Sequence, residues 1–117
     1  MQIDMQNRDG VLVARPAEDR LDAAIAVQFK DAMRDIPKEA PHRVILDMSG
    51  IDFLDSSGLG AVIGAMKLLA PDHTLEIAGL TPAVAKVFKL TRMDSYFTIH
   101  PSADDITPPV AEASHAS

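Results

Sequence analysis

Cysteine and tryptophan are absent from this 117-residue chain, and aromatic residues of all kinds make up only 4% of it. Without cysteine there is no disulfide framework, no thiolate metal site and no thiol nucleophile. So few rings leave little to stack on nucleic-acid bases. Positive charge is scarce too: 11 Lys and Arg stand against 17 Asp and Glu, a net charge of −6. Binding to a phosphate backbone needs a basic surface, so direct contact with nucleic acid is not expected. No apolar run approaches a membrane span. The first residues, Met-Gln-Ile-Asp-Met-Gln, lack the basic and apolar regions of a signal peptide. The expectation is a cytoplasmic protein with no membrane contact.

What the chain does have is apolar content. At 47% hydrophobic it has enough for one core at this length, and neither an internal repeat nor a linker is visible. Two short apolar pieces at 3–5 and 11–13 flank Asp9-Gly10, a turn signal because glycine accepts positive φ, and predict an antiparallel hairpin. Ile25, Phe29, Met33 and Ile36 recur at helical spacing and predict a helix over 23–36, with Asp22 as its N-cap, Pro37 beyond its end, and Lys30, Asp31 and Arg34 facing out. A strand at 74–78 follows the turn Pro71-Asp72-His73. Thr81 and Pro82 then open a helix whose inner face is Val84, Val87 and Phe88. A last short strand is expected at 96–99 and a helical turn at 103–106, with 107–117 as a frayed tail. Strand and helix alternate after residue 40, which calls for a parallel sheet.

The stretch 44–69 is the most informative. The apolar run Val44-Ile45-Leu46 reads as a buried strand, and Leu59, Val62, Ile63, Met66 and Leu69 have helical spacing. Between them Asp55-Ser56-Ser57-Gly58 lies where that helix begins. A carboxylate and two hydroxyls there satisfy free backbone N–H groups of the first turn. The same place tolerates added negative charge, because a helix N-terminus is electropositive. The serines are therefore either caps alone or caps of which one is a phosphoacceptor. Gly58 and Gly60 allow another backbone, or a partner, to approach the helix start closely.

Asp47, ending the strand, raises a rival reading as the phosphate acceptor of a receiver domain. A receiver also needs an acidic pair after its first strand to hold Mg²⁺, and here that strand leads into Asn7-Arg8-Asp9-Gly10. A serine-hydrolase elbow fails because Leu54, not glycine, stands two residues before Ser56. His42, His73, His100 and His115 have no ligand or base spacing and read as lone surface residues.

The order of elements and the central run together resemble the STAS family of bacterial anti-sigma factor antagonists. The resemblance rests on Ile51-Asp-Phe-Leu-Asp-Ser-Ser-Gly-Leu-Gly60, on Gly79-Leu-Thr-Pro-Ala-Val-Ala-Lys-Val-Phe-Lys-Leu90 and on Leu21-Asp22, and covers residues 1–106. It implies an α/β domain with a small mixed sheet, an N-terminal antiparallel hairpin followed by parallel strands, and helices mainly on one side. It also implies a binding switch without enzymatic activity or cofactor. Such a protein binds an anti-sigma factor that is also a serine kinase, and so frees a sigma factor. Phosphorylation, on Ser56 here, ends the interaction, and a metal-dependent serine phosphatase restores it. The partner face implied is Asp22, Asp55, Ser56, Ser57, Gly58, Leu59 and Gly60. The run Asp19-Arg20-Leu21-Asp22 departs from the family, which often has glycine and an acidic residue at its first two positions. Ile25 stands where threonine is common. The alternative within the family is an unphosphorylated scaffold or transporter accessory subunit.

Overall fold

The computed structural model describes residues 1–106; the expected tail at 107–117 lies outside the described residues. Strands β1 (Ile3–Arg8) and β2 (Val11–Pro16) pair antiparallel. They turn through Asp9 at φ 51° and Gly10 at φ 83°, the two positive values a tight hairpin turn requires. The main sheet is completed by β4 (Arg43–Asp47), β6 (Thr74–Ala78) and β7 (Ile99–His100), all parallel to β2, in the order β1-β2-β4-β6-β7. The mixed sheet expected from the sequence is present. Two further strands, β3 (Arg20–Leu21) and β5 (Phe53–Leu54), form a separate parallel pair that the sequence did not announce. The last strand covers Ile99 and His100 rather than 96–99, and 103–106 makes a turn rather than helix, closed by Asp105 N–H donating to Ser102 O at 3.1 Å.

Three helices, α1 (Ala26–Arg34), α2 (Ser56–Leu69) and α3 (Pro82–Leu90), cover one face of the sheet. Their inner residues Phe29, Met33, Val62, Ala65, Val84 and Phe88 are fully buried against Leu12, Val44, Leu46, Leu75 and Ile77, residues that alternate with outward ones along their strands. The buried face foreseen from helical spacing is the one found. Lys30 differs. It is half-buried, because its stem lies across Gly64 of α2, within 3.0 Å of where a Cβ would stand.

The opposite face of the sheet carries no helix. Val11, Val13, Ile45 and Ala78 form a small apolar patch there, covered by Ala103. Beside it lies a polar cluster. Arg43 Nε and Nη2 donate to the two oxygens of Glu76 at 2.8 and 2.7 Å, and His100 Nε2 lies 2.7 Å from Glu76 Oε1. His100 is only 3% exposed and His73 only 4%, which corrects their reading as surface histidines. His100 is buried with Glu76 as its partner. His73 sits between the carbonyls of Pro41 and Pro37 at 2.8 and 3.1 Å, clipping the α1–β4 loop to the turn before β6. Buried polar groups persist when they are paired in this way. His42 is exposed, and His115 lies outside the described residues.

Burial pushes the Glu76 carboxyl up, but the hydrogen bonds and charges of Arg43 and His100 outweigh it and hold the group below its ordinary 4.5. A carboxyl depressed in the folded state stabilises the fold above its unfolded pKa, and that stability is lost as pH falls through the folded value. Glu76→Gln removes the buried carboxylate charge that both Arg43 and His100 bond and should cost roughly 3 kcal/mol at pH 7. In urea unfolding, the gap between wild type and variant should narrow once the pH drops below about 4.5. A gap that stays constant from pH 7 to pH 3 would show that the ion pair is not its source.

Candidate functional site

Helix α2 begins where the sequence placed it, and its cap is Asp55. The Asp55 backbone is extended, and its Oδ1 accepts the Gly58 N–H at 2.8 Å, the bond of an N-cap. The second oxygen, Oδ2, accepts the Ala23 N–H at 3.2 Å from a distant segment. One carboxylate therefore fixes two loops. The β3–β5 pairing, with Arg20 opposite Phe53 and Leu21 opposite Leu54, brings those loops side by side.

Asp22 does not cap α1, which starts at Ala26 with Ile25 in the cap position and no side-chain cap. It closes a single turn before the helix instead. Ala24 N–H donates to Asp22 Oδ1 at 3.1 Å and Ile25 N–H donates to the Asp22 carbonyl, also at 3.1 Å. A short carboxylate serves an isolated turn as readily as a helix, so the pattern alone misplaced the start by three residues. Thr81 likewise occupies the cap position of α3 without bonding it. Its hydroxyl donates to Ile51 O at 2.8 Å, satisfying a carbonyl of the loop that leads to β5.

Of the residues expected on the partner face, Ser56, Ser57 and Gly60 are exposed, and Asp22 and Asp55 are half-buried beside them. Gly58 and Leu59 are buried. Gly58 packs under β3 so closely that an added Cβ would collide with the Leu21 carbonyl, whereas nothing lies within 4 Å of a Cβ on Gly60. Gly58 is thus required by the chain's own backbone, while Gly60 leaves open surface. Two neighbours went unnoticed in the sequence. Phe53 is 39% exposed, and the Arg20 guanidinium lies 4.2 Å over its ring. Two-residue strands carry no periodicity, so nothing in the sequence announced the pair; Arg20 replacing the acidic residue usual in the family was the available clue.

Asp47 makes no hydrogen bond or ion pair with the described residues of this site. It is buried, accepts the Ser49 N–H at 3.0 Å, and has Arg15 Nη1 at 3.8 Å. The Asp9–Gly10 turn adjoins Arg43, at the opposite end of β4, so a receiver's acidic pocket does not form around Asp47.

Residues 2–106 match the STAS domain, and the chain belongs to that family. The anti-sigma F factor antagonist of Paenibacillus polymyxa is 27% identical over 109 residues, 90% of this chain and 88% of its own length. The crystal structure of an anti-sigma factor antagonist from Mycobacterium paratuberculosis is similar with a TM-score of 0.75 at 23% identity, over 88% of this chain and 87% of that one. The Bacillus cell fate determinant SpoIIAA in its phosphorylated form is similar at 0.58 and 19% identity, over 99% and 100% of the two chains. At such identities the structural likeness speaks for the fold. Among the described residues no helix is long and apolar enough to cross a membrane.

The two glycines should respond to alanine with opposite signs. At Gly60, alanine removes backbone freedom from a helix and meets no obstacle, so a gain of about 0.5–1 kcal/mol is expected. At Gly58 the same change pushes β3 off α2 and should cost about 1–3 kcal/mol. Thermal or urea unfolding of the two variants measures both. Equal effects would contradict the close approach of Leu21.

Proposed function

We propose that this protein is an anti-sigma factor antagonist that acts in the cytoplasm by binding. Its partner is an anti-sigma factor with serine kinase activity, and binding frees the sigma factor that partner holds. The kinase transfers the γ-phosphoryl group of ATP to Ser56 Oγ, releasing ADP and a proton. A metal-dependent serine phosphatase hydrolyses the phosphoserine back to serine and inorganic phosphate. The observation that carries this reading is Ser56 itself, exposed at the first position of α2 directly after the capping Asp55. The name of the Paenibacillus relative supports the partner class.

The energetics suit a switch that spares the fold. A phosphoserine brings about −1.5 to −2 charges at neutral pH. At a helix N-terminus such charge stabilises the monomer by about 0.3–1 kcal/mol. Buried unpaired in an interface, it costs roughly 2–5 kcal/mol, enough to dissociate the complex. The partner face comprises Asp22, Ser56, Ser57 and Gly60, held in place from beneath by Asp55, Gly58 and Leu59.

Incubated with its cognate kinase and ATP, the protein should gain one phosphoryl group, and Ser56→Ala should abolish that gain while keeping the fold and the partner complex. Ser56→Asp should fold normally and bind the partner more weakly. Phosphate mapped to Ser57 or Asp47 by mass spectrometry would overturn the assignment. Asp22→Asn preserves the turn, since Asn caps about as well as Asp, and should still weaken partner binding in calorimetry. An unchanged affinity would make Asp22 purely structural.

A further inference from the structure

Arg20 is placed unlike any other cation described around Ser56. Leu21 and Leu54 point inward from the β3–β5 pair, at 1% and 5% exposure, so Arg20 and Phe53 share its outward face. The guanidinium rests 4.2 Å above the Phe53 ring, and its Nε reaches Asp22 Oδ2 at 3.2 Å. That contact draws the side chain along the strand in the direction of Ser56, because β3 and β5 run parallel. Its Nη1 and Nη2 groups make no hydrogen bond to any described residue, and the side chain is 56% exposed. A fork of free donors is therefore held on the outward face of the β3–β5 pair, against Asp22 and Phe53, on the side from which the chain runs into Ser56. Ser56 follows Phe53 by three positions, with Leu54 and the capping Asp55 between them, at most about 10 Å along an extended backbone, a gap that an arginine and a phosphoserine side chain together cross.

The charges around it make the arrangement consequential. Asp22 is bonded to Arg20, and Asp55 is tied to the same turn through Ala23 N–H. Asp19 and Asp52 lie on the flanking loops, joined by Asp52 N–H donating to Asp19 O at 2.7 Å. A dianion added to Ser56 enters a group already rich in carboxylates, and Arg20 is the cation in that chain of contacts.

Resting on Ser56 as the phosphoacceptor, we propose that Arg20 receives the phosphoryl group: the guanidinium hands over from Asp22 to the phosphate while remaining stacked on Phe53. A single Nε donor at 3.2 Å is a weak hold. A phosphoryl dianion offers three acceptor oxygens and accepts a bidentate fork, the geometry guanidinium groups favour. The exchange also strips Asp22 of its counter-charge. Modification thus alters two points of the partner face at once, a new dianion at position 56 and a bared carboxylate at position 22.

The test installs phosphoserine at position 56 during synthesis, so no kinase is needed, in the wild-type, Arg20→Gln and Arg20→Lys backgrounds. Phosphorus NMR follows the second ionisation of the phosphate. The wild-type titration midpoint should lie about half a pH unit or more below that of Arg20→Gln, because a neighbouring cation favours the dianion. Arg20→Lys, a point charge without the fork, should retain part of the difference. The unmodified variants should melt within a few degrees of wild type, since an exposed pair contributes little. Coincident midpoints for wild type and Arg20→Gln would overturn the proposal. The function proposed above is judged separately, by whether the same phosphorylated wild-type protein loses affinity for its partner.

Discussion

The Asp55 carboxylate accepts two backbone N–H groups that are far apart in the chain, Gly58 at 2.8 Å and Ala23 at 3.2 Å. With one oxygen it starts α2, and with the other it holds the turn before α1 against that start. Asp55 N–H donates to the Leu21 carbonyl at 3.4 Å, so backbone and side chain of one residue bind the same neighbouring segment. Gly58 makes the approach possible by having no side chain where Leu21 passes. Cap bonds of this kind contribute about 1 kcal/mol each. Here the larger effect is geometric: the shared anchor adds to the β3–β5 pairing in fixing where the exposed serines stand.

The two faces of the sheet divide the work. Helices on one face supply the apolar core, and Thr81 and Asp52 tie the loops above it through Ile51 O and Asp19 O. The other face holds a small apolar patch and the paired Arg43, Glu76 and His100. The Arg43, Glu76 and His100 cluster is largely buried and hydrogen-bonded, so it stabilises one arrangement. At the site Asp55 is held by two backbone N–H groups, whereas the Arg20 side chain is 56% exposed with a single bond to Asp22 at 3.2 Å.

The comparison with relatives fits this division. Identity of 27% to the Paenibacillus antagonist accompanies coverage of most of both chains, as expected where core positions need only apolar residues of suitable size. Arg20 and the exposed Phe53 belong to the surface, where packing imposes least, and the surface is where members of one family can differ in what they bind.

Local chemistry was enough to read much of this protein from its sequence. Asp9-Gly10 specifies the hairpin because positive φ is needed at both positions; Asp55 and the spacing from Leu59 to Leu69 specify α2; Pro82 marks the start of α3. The family resemblance supplied the architecture and singled out Ser56. Tertiary structure alone decided the rest. Whether Asp22 begins a helix or a turn depends on Asp55 lying alongside, and whether Thr81 caps depends on a rival carbonyl at Ile51. The burial of His73 and His100 depends on acceptors supplied by other strands and loops. The β3–β5 pair, two residues on each side, exists because the layers beneath hold its strands within hydrogen-bonding reach. Periodicity and capping are properties of neighbours in the chain, whereas the partner of a carboxylate, a hydroxyl or an imidazole is chosen by whatever the fold brings within about 3 Å.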